Sequence, residues 1–150
     1  MIIERCTRDR LEDWIRLRQA LWPHGNEQEH RSEAADLLAR TGEAVAFLVL
    51  DDASTAVAFA EATLRRDHVN GCATSPVGFL QGIYVHPNWR RRGVARLLCH
   101  AVEDWAADRG CMEFASDAFV DNEASHNMHK ALGFDETERV VFYRKLLPHR

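Results

Sequence analysis

No apolar run in this 150-residue chain approaches the roughly 20 residues that a membrane helix needs. The sequence therefore predicts a protein that does not enter a membrane. Four cysteines, Cys6, Cys72, Cys99 and Cys111, are scattered, and no two form a C-x-x-C pair. That spacing argues against a zinc site or disulfide framework and fits reduced thiols in the cytoplasm. Neither G-x-x-x-x-G-K-[ST] nor G-x-G-x-x-G is present, which argues against nucleotide triphosphate hydrolysis and dinucleotide redox chemistry. Nor is there a basic excess. The net charge is -4 and the pI about 6.0, so no global field attracts nucleic acid. Repeats, low-complexity tracts and linkers are missing too. Met1-Ile2-Ile3-Glu4-Arg5 reads as a strand rather than a leader. What remains is one domain, residues 1–150, whose 46% apolar content can bury a core without staples.

Hydrophobic periodicity divides that domain. A short strand is expected at 2–6. Leu11, Trp14, Ile15, Leu17, Leu21 and Trp22 then share a broad helix face. Asp9 with Glu12 resembles a capping box, and Pro23 and Gly25 stop this helix. A weaker helix spans 27–40, with Ala34, Leu37 and Leu38 inward and Gly42 near its end. Strands follow at 44–50, 55–65 and 77–85. The third is apolar on both faces except at Gln81, as suits a strand covered from both sides. Val94, Leu97, Leu98, Ala101, Val102 and Trp105 mark the clearest amphipathic helix, closed by Gly110. A strand at 111–116, a helix at 123–132 and one or more strands within 135–146 complete a mixed α/β fold. The unit at 77–116 is expected to be a right-handed parallel crossover.

Chemistry concentrates between the strand ending at Val85 and the long helix. Arg90-Arg91-Arg92-Gly93-Val94-Ala95 supplies a glycine and a helix start. The first helical N–H groups lack intrahelical partners and the dipole is positive there. Glycine and alanine let backbone approach a phosphate, and arginines attract a polyanion. Charge alone would favour a surface helix start with no ligand; the small residues after a buried strand favour phosphate.

Arg90-x-x-Gly93-x-Ala95 resembles the [QR]-x-x-G-x-[GA] pyrophosphate loop of the GNAT acetyltransferases. Further segments resemble the short aminoglycoside 6'-N-acetyltransferases: Leu21-Trp22-Pro23, Asp67-His68-Val69-Asn70-Gly71, Ser75-Pro76, Phe79-Leu80-Gln81-Gly82-Ile83-Tyr84-Val85, Phe114-Ala115-Ser116-Asp117, Asp121-Asn122, Leu132-Gly133-Phe134 and Glu136-Thr137-Glu138-Arg139-Val140. The resemblance implies a central mixed sheet with a splayed strand pair, helices on both faces, acetyl-CoA as co-substrate, and a homodimer. It also implies that backbone groups of Ile83, Tyr84 and Val85 pair with pantetheine. Amides from Arg91, Arg92, Gly93, Val94, Ala95 and Arg96 would hold the pyrophosphate, and Asn122 would lie near the thiol. Trp22, His68, Gln81, Asp117 and Glu138 would line a cleft for the polycationic aminoglycoside, the carboxylates through charge-assisted hydrogen bonds and Trp22 through its ring face. From residues alone, Trp22 suits core packing and Asp117 and Glu138 suit an exposed surface.

Two positions depart from the family pattern. Gln81 stands where glutamate is usual, and His68 where tyrosine is common. The resemblance implies direct attack of the amine on the thioester, with Asp117 or water near Gln81 as base and a backbone N–H near Val85 stabilising the oxyanion. No Cys–His pair suggests a covalent intermediate. His129 falls where many relatives carry a tyrosine acid, and an imidazole can donate near neutral pH; a half-exposed helix histidine is the alternative. His126 and His129 lack a third metal ligand, so no metal is expected. Competing expectations are another small amine, such as a polyamine or peptide N-terminus, or a CoA-binding sensor without turnover.

Overall fold

The computed structural model describes residues 1–149. Five strands, β1 (Ile2–Arg5), β2 (Ala44–Leu50), β3 (Ala56–Arg65), β4 (Val77–Val85) and β5 (Phe114–Ala115), form one sheet in the order β1-β2-β3-β4-β5. The first four pair antiparallel. β4 and β5 run parallel, joined through the helix expected between them. The sheet is therefore mixed, with its parallel pair at one side.

Helices α1 (Leu11–Leu21), α2 (Glu27–Ala39), α3 (Val94–Asp108) and α4 (Glu123–Ala131) cover both faces. Strand alternation decides which residue meets which layer. Ala58, Ala60, Ala62 and Leu64 of β3 pack with Val94, Leu98, Val102 and Trp105 of α3. Phe59 of β3 joins Trp14 and Leu17 of α1 and Ala34 of α2 on the opposite face. Each fully buried large apolar side chain is worth about 1.5–3 kcal/mol, so α3 is fixed mainly by its stripe. Its close approach is visible at Gly78, where an added methyl would meet the Ala106 Cβ at 2.8 Å.

Three local expectations differ from the structure. Asp9 and Glu12 form no capping box: a 3-10 turn, Arg8–Arg10, precedes α1, and neither start carries a side-chain cap. Arg10 instead binds Glu4 and Asp13. The strand at 111–116 shrinks to Phe114–Ala115, because only Gly78↔Phe114 and Phe79↔Ala115 pair before the chains part. The expected strand within 135–146 has no regular structure, and Phe142 and Tyr143 are 86% and 92% exposed. A strand needs an edge to complete its hydrogen bonds, and no strand within residues 1–149 pairs with this segment.

Candidate active site

β4 is the organising element. Its register against β3 slips at one point, where Glu61 faces Gly82 and Ala62 faces Leu80. Gln81 is thus the extra residue of a β-bulge, which re-aims its side chain. It is exposed within an otherwise buried stretch, and its amide donates to Thr63 Oγ1 at 3.0 Å. Gln81, Glu61, Arg18, Glu33, Asp36, Leu37 and Arg40 line a cleft of about 270 Å³.

Trp22 ends α1 beside this bulge. A methyl at Gly82 would lie 2.5 Å from Trp22 Cη2, so glycine is required for the indole to rest on the strand. The Arg18 guanidinium lies 4.8 Å from the Trp22 ring centroid, and Phe59 meets the indole edge-on at 6.2 Å. His30 Nε2 pairs with the Trp22 carbonyl at 3.0 Å. Arg18 itself is buried. It binds both Glu61 carboxylate oxygens, one at 2.6 Å, and also Glu33. The Trp14 indole N–H donates to Glu61 at 2.8 Å. Burial pushes the Glu61 carboxyl up, while Arg18 and the Trp14 N–H favour its charged form. Sequence reading did not single out this network. Its signals were Glu61 inside the apolar run Ala56–Arg65 and Arg18 four residues from both Trp14 and Trp22, on one helix face.

The second group lies toward the other end of β4. His68, Asp117 and Glu138 are all exposed. Asp117 is close enough to Arg65 to raise the pKa of that guanidinium, though less than Asp67 does. Thr137, beside Glu138, occupies the space where Gly71 would carry a side chain. These contacts bring the Asp67–Gly71 loop, the end of β5 and the 135–138 segment to one region, whereas Trp22 and Gln81 belong to the α1–α2 face.

On the far side of β4, past Phe79, the strand has no hydrogen-bonded neighbour. Ile83, Tyr84 and Val85 therefore lack a strand partner on that side, although the Val85 carbonyl accepts from Arg90 Nε at 2.9 Å. The chain then turns through the 3-10 segment Pro87–Trp89 and two left-handed residues, Arg91 (φ 62°) and Gly93 (φ 77°). The first α3 bond to Gly93 comes from Leu97 N–H at 3.0 Å, which leaves the amides of Val94, Ala95 and Arg96 without helical acceptors. No side chain caps this end. The contrast with α2 and α4 is informative, since Asn26 and Asn122 cap those helices. A 15-residue helix thus points a free, positively polarised terminus at the end of an unpaired strand edge, an arrangement suited to an anionic group with an extended arm. Arg90 and Arg92 are turned toward Tyr84 and Trp89, and Arg96 binds the Ala131 carbonyl at 3.0 Å. The backbone, more than these guanidinia, is what remains free.

His129 Nε2 lies 2.8 Å from Ser116 Oγ and Nδ1 lies 2.7 Å from the Ser125 carbonyl. Asn122 caps α4 by accepting from Ser125 N–H at 3.1 Å. His126 is engaged by the Val120 carbonyl at 2.9 Å. Among the described residues no group of three or more His, Cys, Asp or Glu side chains could hold a metal, and no helix is long and apolar enough to cross a membrane.

Residues 9–134 match the profile of the Acetyltransferase (GNAT) family. The aminoglycoside N(6')-acetyltransferase type 1 of Serratia marcescens is 49% identical over 142 residues, covering 95% of this chain and 97% of that protein. The apo crystal structure of aminoglycoside 6'-N-acetyltransferase AAC(6')-IG from Acinetobacter haemolyticus is similar with a TM-score of 0.94 at 47% identity, over 99% of this chain and 100% of its own. AAC(6')-Iy in complex with the bisubstrate analogue CoA-S-monomethyl-acetylneamine is similar with a TM-score of 0.92 at 43% identity, over 97% and 98% of the two chains.

Proposed function

Because the chain belongs to the GNAT acetyltransferase family, we propose that it moves the acetyl group of acetyl-CoA onto the 6'-amino group of aminoglycoside antibiotics and so confers resistance. The uncapped start of α3 beside the unpaired edge of β4 is the observation that carries this reading. The amides of Arg91 through Arg96 take the pyrophosphate, and Ile83, Tyr84 and Val85 present backbone partners to pantetheine, with Asn122 toward the thiol end. Neither the carboxylates nor the bulge is needed for that cofactor; they serve the amine. Trp22, Gln81, His68, Asp117 and Glu138 line the space a sugar polycation enters. Relatives of this length are named for that activity, and one binds an analogue joining CoA to an acetylated aminoglycoside.

The amine attacks the thioester directly within the ternary complex. Asp117, or water held near Gln81, takes the amine proton, and an N–H near Val85 meets the oxyanion. His129 stands behind protonation of the departing thiolate. Gln81 offers hydrogen bonds but no charge, which places the base at Asp117 or in water. The enzyme works in the cytoplasm, where acetyl-CoA is available, and as a homodimer. Support for the dimer is the irregular 135–149 segment with Val141, Phe142, Tyr143, Leu146 and Leu147 at 74–92% exposure. A second copy offers such a run both a sheet edge and apolar cover.

The deciding assay follows CoA thiol release with acetyl-CoA and a panel of amines. Release with 6'-amino but not 6'-hydroxy kanamycin-type compounds is expected. Release only with spermidine or peptides assigns a different amine, and acetyl-CoA binding without release for any amine assigns a sensor. Light scattering reports the mass, and a monomer refutes the dimer.

A further inference from the structure

Within that transferase reading, the structure points to Ser116 as the side chain that hands a proton to the departing thiolate, recharged by His129 behind it. Ser116 is the first residue beyond the last β4–β5 pair, Phe79↔Ala115. Its hydroxyl spans the place where the two strands separate, 3.4 Å from the Leu80 carbonyl on β4 and 2.8 Å from His129 Nε2. The pyrophosphate site lies past the other end of the free edge. Ile83, Tyr84 and Val85 cover about 10 Å of strand at 3.3 Å per residue. An arm laid along them from the α3 terminus brings its acyl end toward Gln81 and Leu80, the level at which Ser116 sits.

The histidine's hydrogen-bonding geometry fixes the direction of transfer. Of the two Ser125 oxygens at Nδ1, the hydroxyl is the farther at 3.3 Å and the carbonyl the nearer at 2.7 Å; the carbonyl can only accept, so Nδ1 carries a hydrogen and Nε2 exchanges protons with Ser116. The ring cannot easily turn away. Phe134 meets it edge-on at 5.2 Å and is itself 5.2 Å from Phe114 of β5. When His129 is neutral, Ser116 O–H donates to Nε2. When it is imidazolium, Nε2–H donates to Ser116 Oγ, and the serine's own hydrogen is left with only the distant Leu80 carbonyl. That hydrogen is free to meet a sulfur in the opening between the strands.

The step balances. As the tetrahedral intermediate collapses, the C–S bond breaks and its electron pair stays on sulfur. Sulfur takes the Ser116 hydroxyl proton, and Ser116 Oγ takes the Nε2 proton of His129. His129 ends neutral, with Nδ1–H still on Ser125, and regains a proton from water. The proton lost by the attacking amine leaves by the separate route described above.

The test compares wild type with Ser116→Ala, Ser116→Thr, His129→Gln and the double Ser116→Ala/His129→Gln variant, in single-turnover acetyl transfer and in direct acetyl-CoA binding. Losing a proton donor of this kind costs about 100-fold or more. Ser116→Ala and His129→Gln should each lose about that much in rate with acetyl-CoA affinity unchanged. The double variant should be no slower than the worse single, because both act on one proton chain. Ser116→Thr, which keeps a hydroxyl, should recover most of the rate. In mixtures of light and heavy water the wild-type rate should show two protons in flight. A wild-type rate in Ser116→Ala overturns the relay, as does an additive double variant. If wild type binds no acetyl-CoA, the transferase reading falls along with the relay.

Discussion

Adding one methyl at Gly82 should separate the two substrates of this enzyme. The new carbon would lie 2.5 Å and 2.6 Å from two ring atoms of Trp22 and 3.1 Å from Leu21 Cδ2, against a comfortable carbon–carbon separation of about 3.5–4.0 Å. The indole must retreat by about 1 Å. It cannot do so freely, since Arg18 stacks on it, Phe59 abuts it, and its backbone carbonyl is tied to His30. Overpacking of this kind costs about 1–3 kcal/mol, seen as a melting temperature lower by several degrees. If the ring is also the wall on which a cationic sugar rests, the lost contact is worth about 0.5–2 kcal/mol, or roughly a 2- to 30-fold rise in the aminoglycoside KM. The acetyl-CoA KM should stay put, because the methyl points at Trp22 and Leu21 of the α1 layer and leaves the start of α3 untouched. Steady-state kinetics with each substrate varied, plus a thermal melt, decide the matter. A lowered melting temperature with an unchanged amine KM refutes Trp22 as a substrate wall, and an unchanged melting temperature refutes the tight packing itself.

Gly93→Val should fold, because nothing lies within 4 Å of the added carbon, at a backbone cost of about 1–2 kcal/mol for the left-handed conformation. It should raise the acetyl-CoA Kd severely, and calorimetry showing normal binding refutes the placement of the pyrophosphate. Arg18→Met strands a buried carboxylate and should cost about 3–5 kcal/mol in urea melts. Adding Glu61→Leu should restore much of that loss, and a double variant weaker than the single refutes the charge argument. Burial pushes the Cys6 thiol up to about 12 and Cys99 to about 11, so neither offers appreciable thiolate at pH 8. A thiol dye should label them only after unfolding, as peptide mapping would show; rapid native labelling of either contradicts the burial.

Period and punctuation made most of the fold legible. Val77–Val85 and the α3 stripe were readable because each carries a long, regular apolar pattern and a definite stop. The α3 terminus was readable because Gly93 and Ala95 are local signals. Residues 111–116 and 135–146 misled for one reason: apolar alternation announces that a strand wants a partner, not where the partner is. The site divided similarly. Gln81 stood out as a polar residue in an apolar strand, yet the slip against Glu61 and Ala62 that turns it outward is a tertiary event. Arg18 of α1, with Trp22 just beyond that helix, and Glu61 of β3 are far apart in sequence, 43 residues for Arg18 and Glu61, and only packing joins them. Ser116 was legible only as part of the Phe114-Ala115-Ser116-Asp117 segment, because a two-residue strand carries no periodic signal of its own.

The extra residue in β4 has an evolutionary consequence. A residue outside the ladder register, tied across the strands by one amide bond to Thr63 Oγ1, can change identity with little disturbance to the sheet. Gln81 occupies that slot, at the edge of the cleft it lines with Arg18, Glu33 and Glu61. On the proposed reading, charge at this point can be gained or lost by drift while the start of α3 and the folded state are left alone, so the range of accepted drugs would shift faster than the scaffold that presents it.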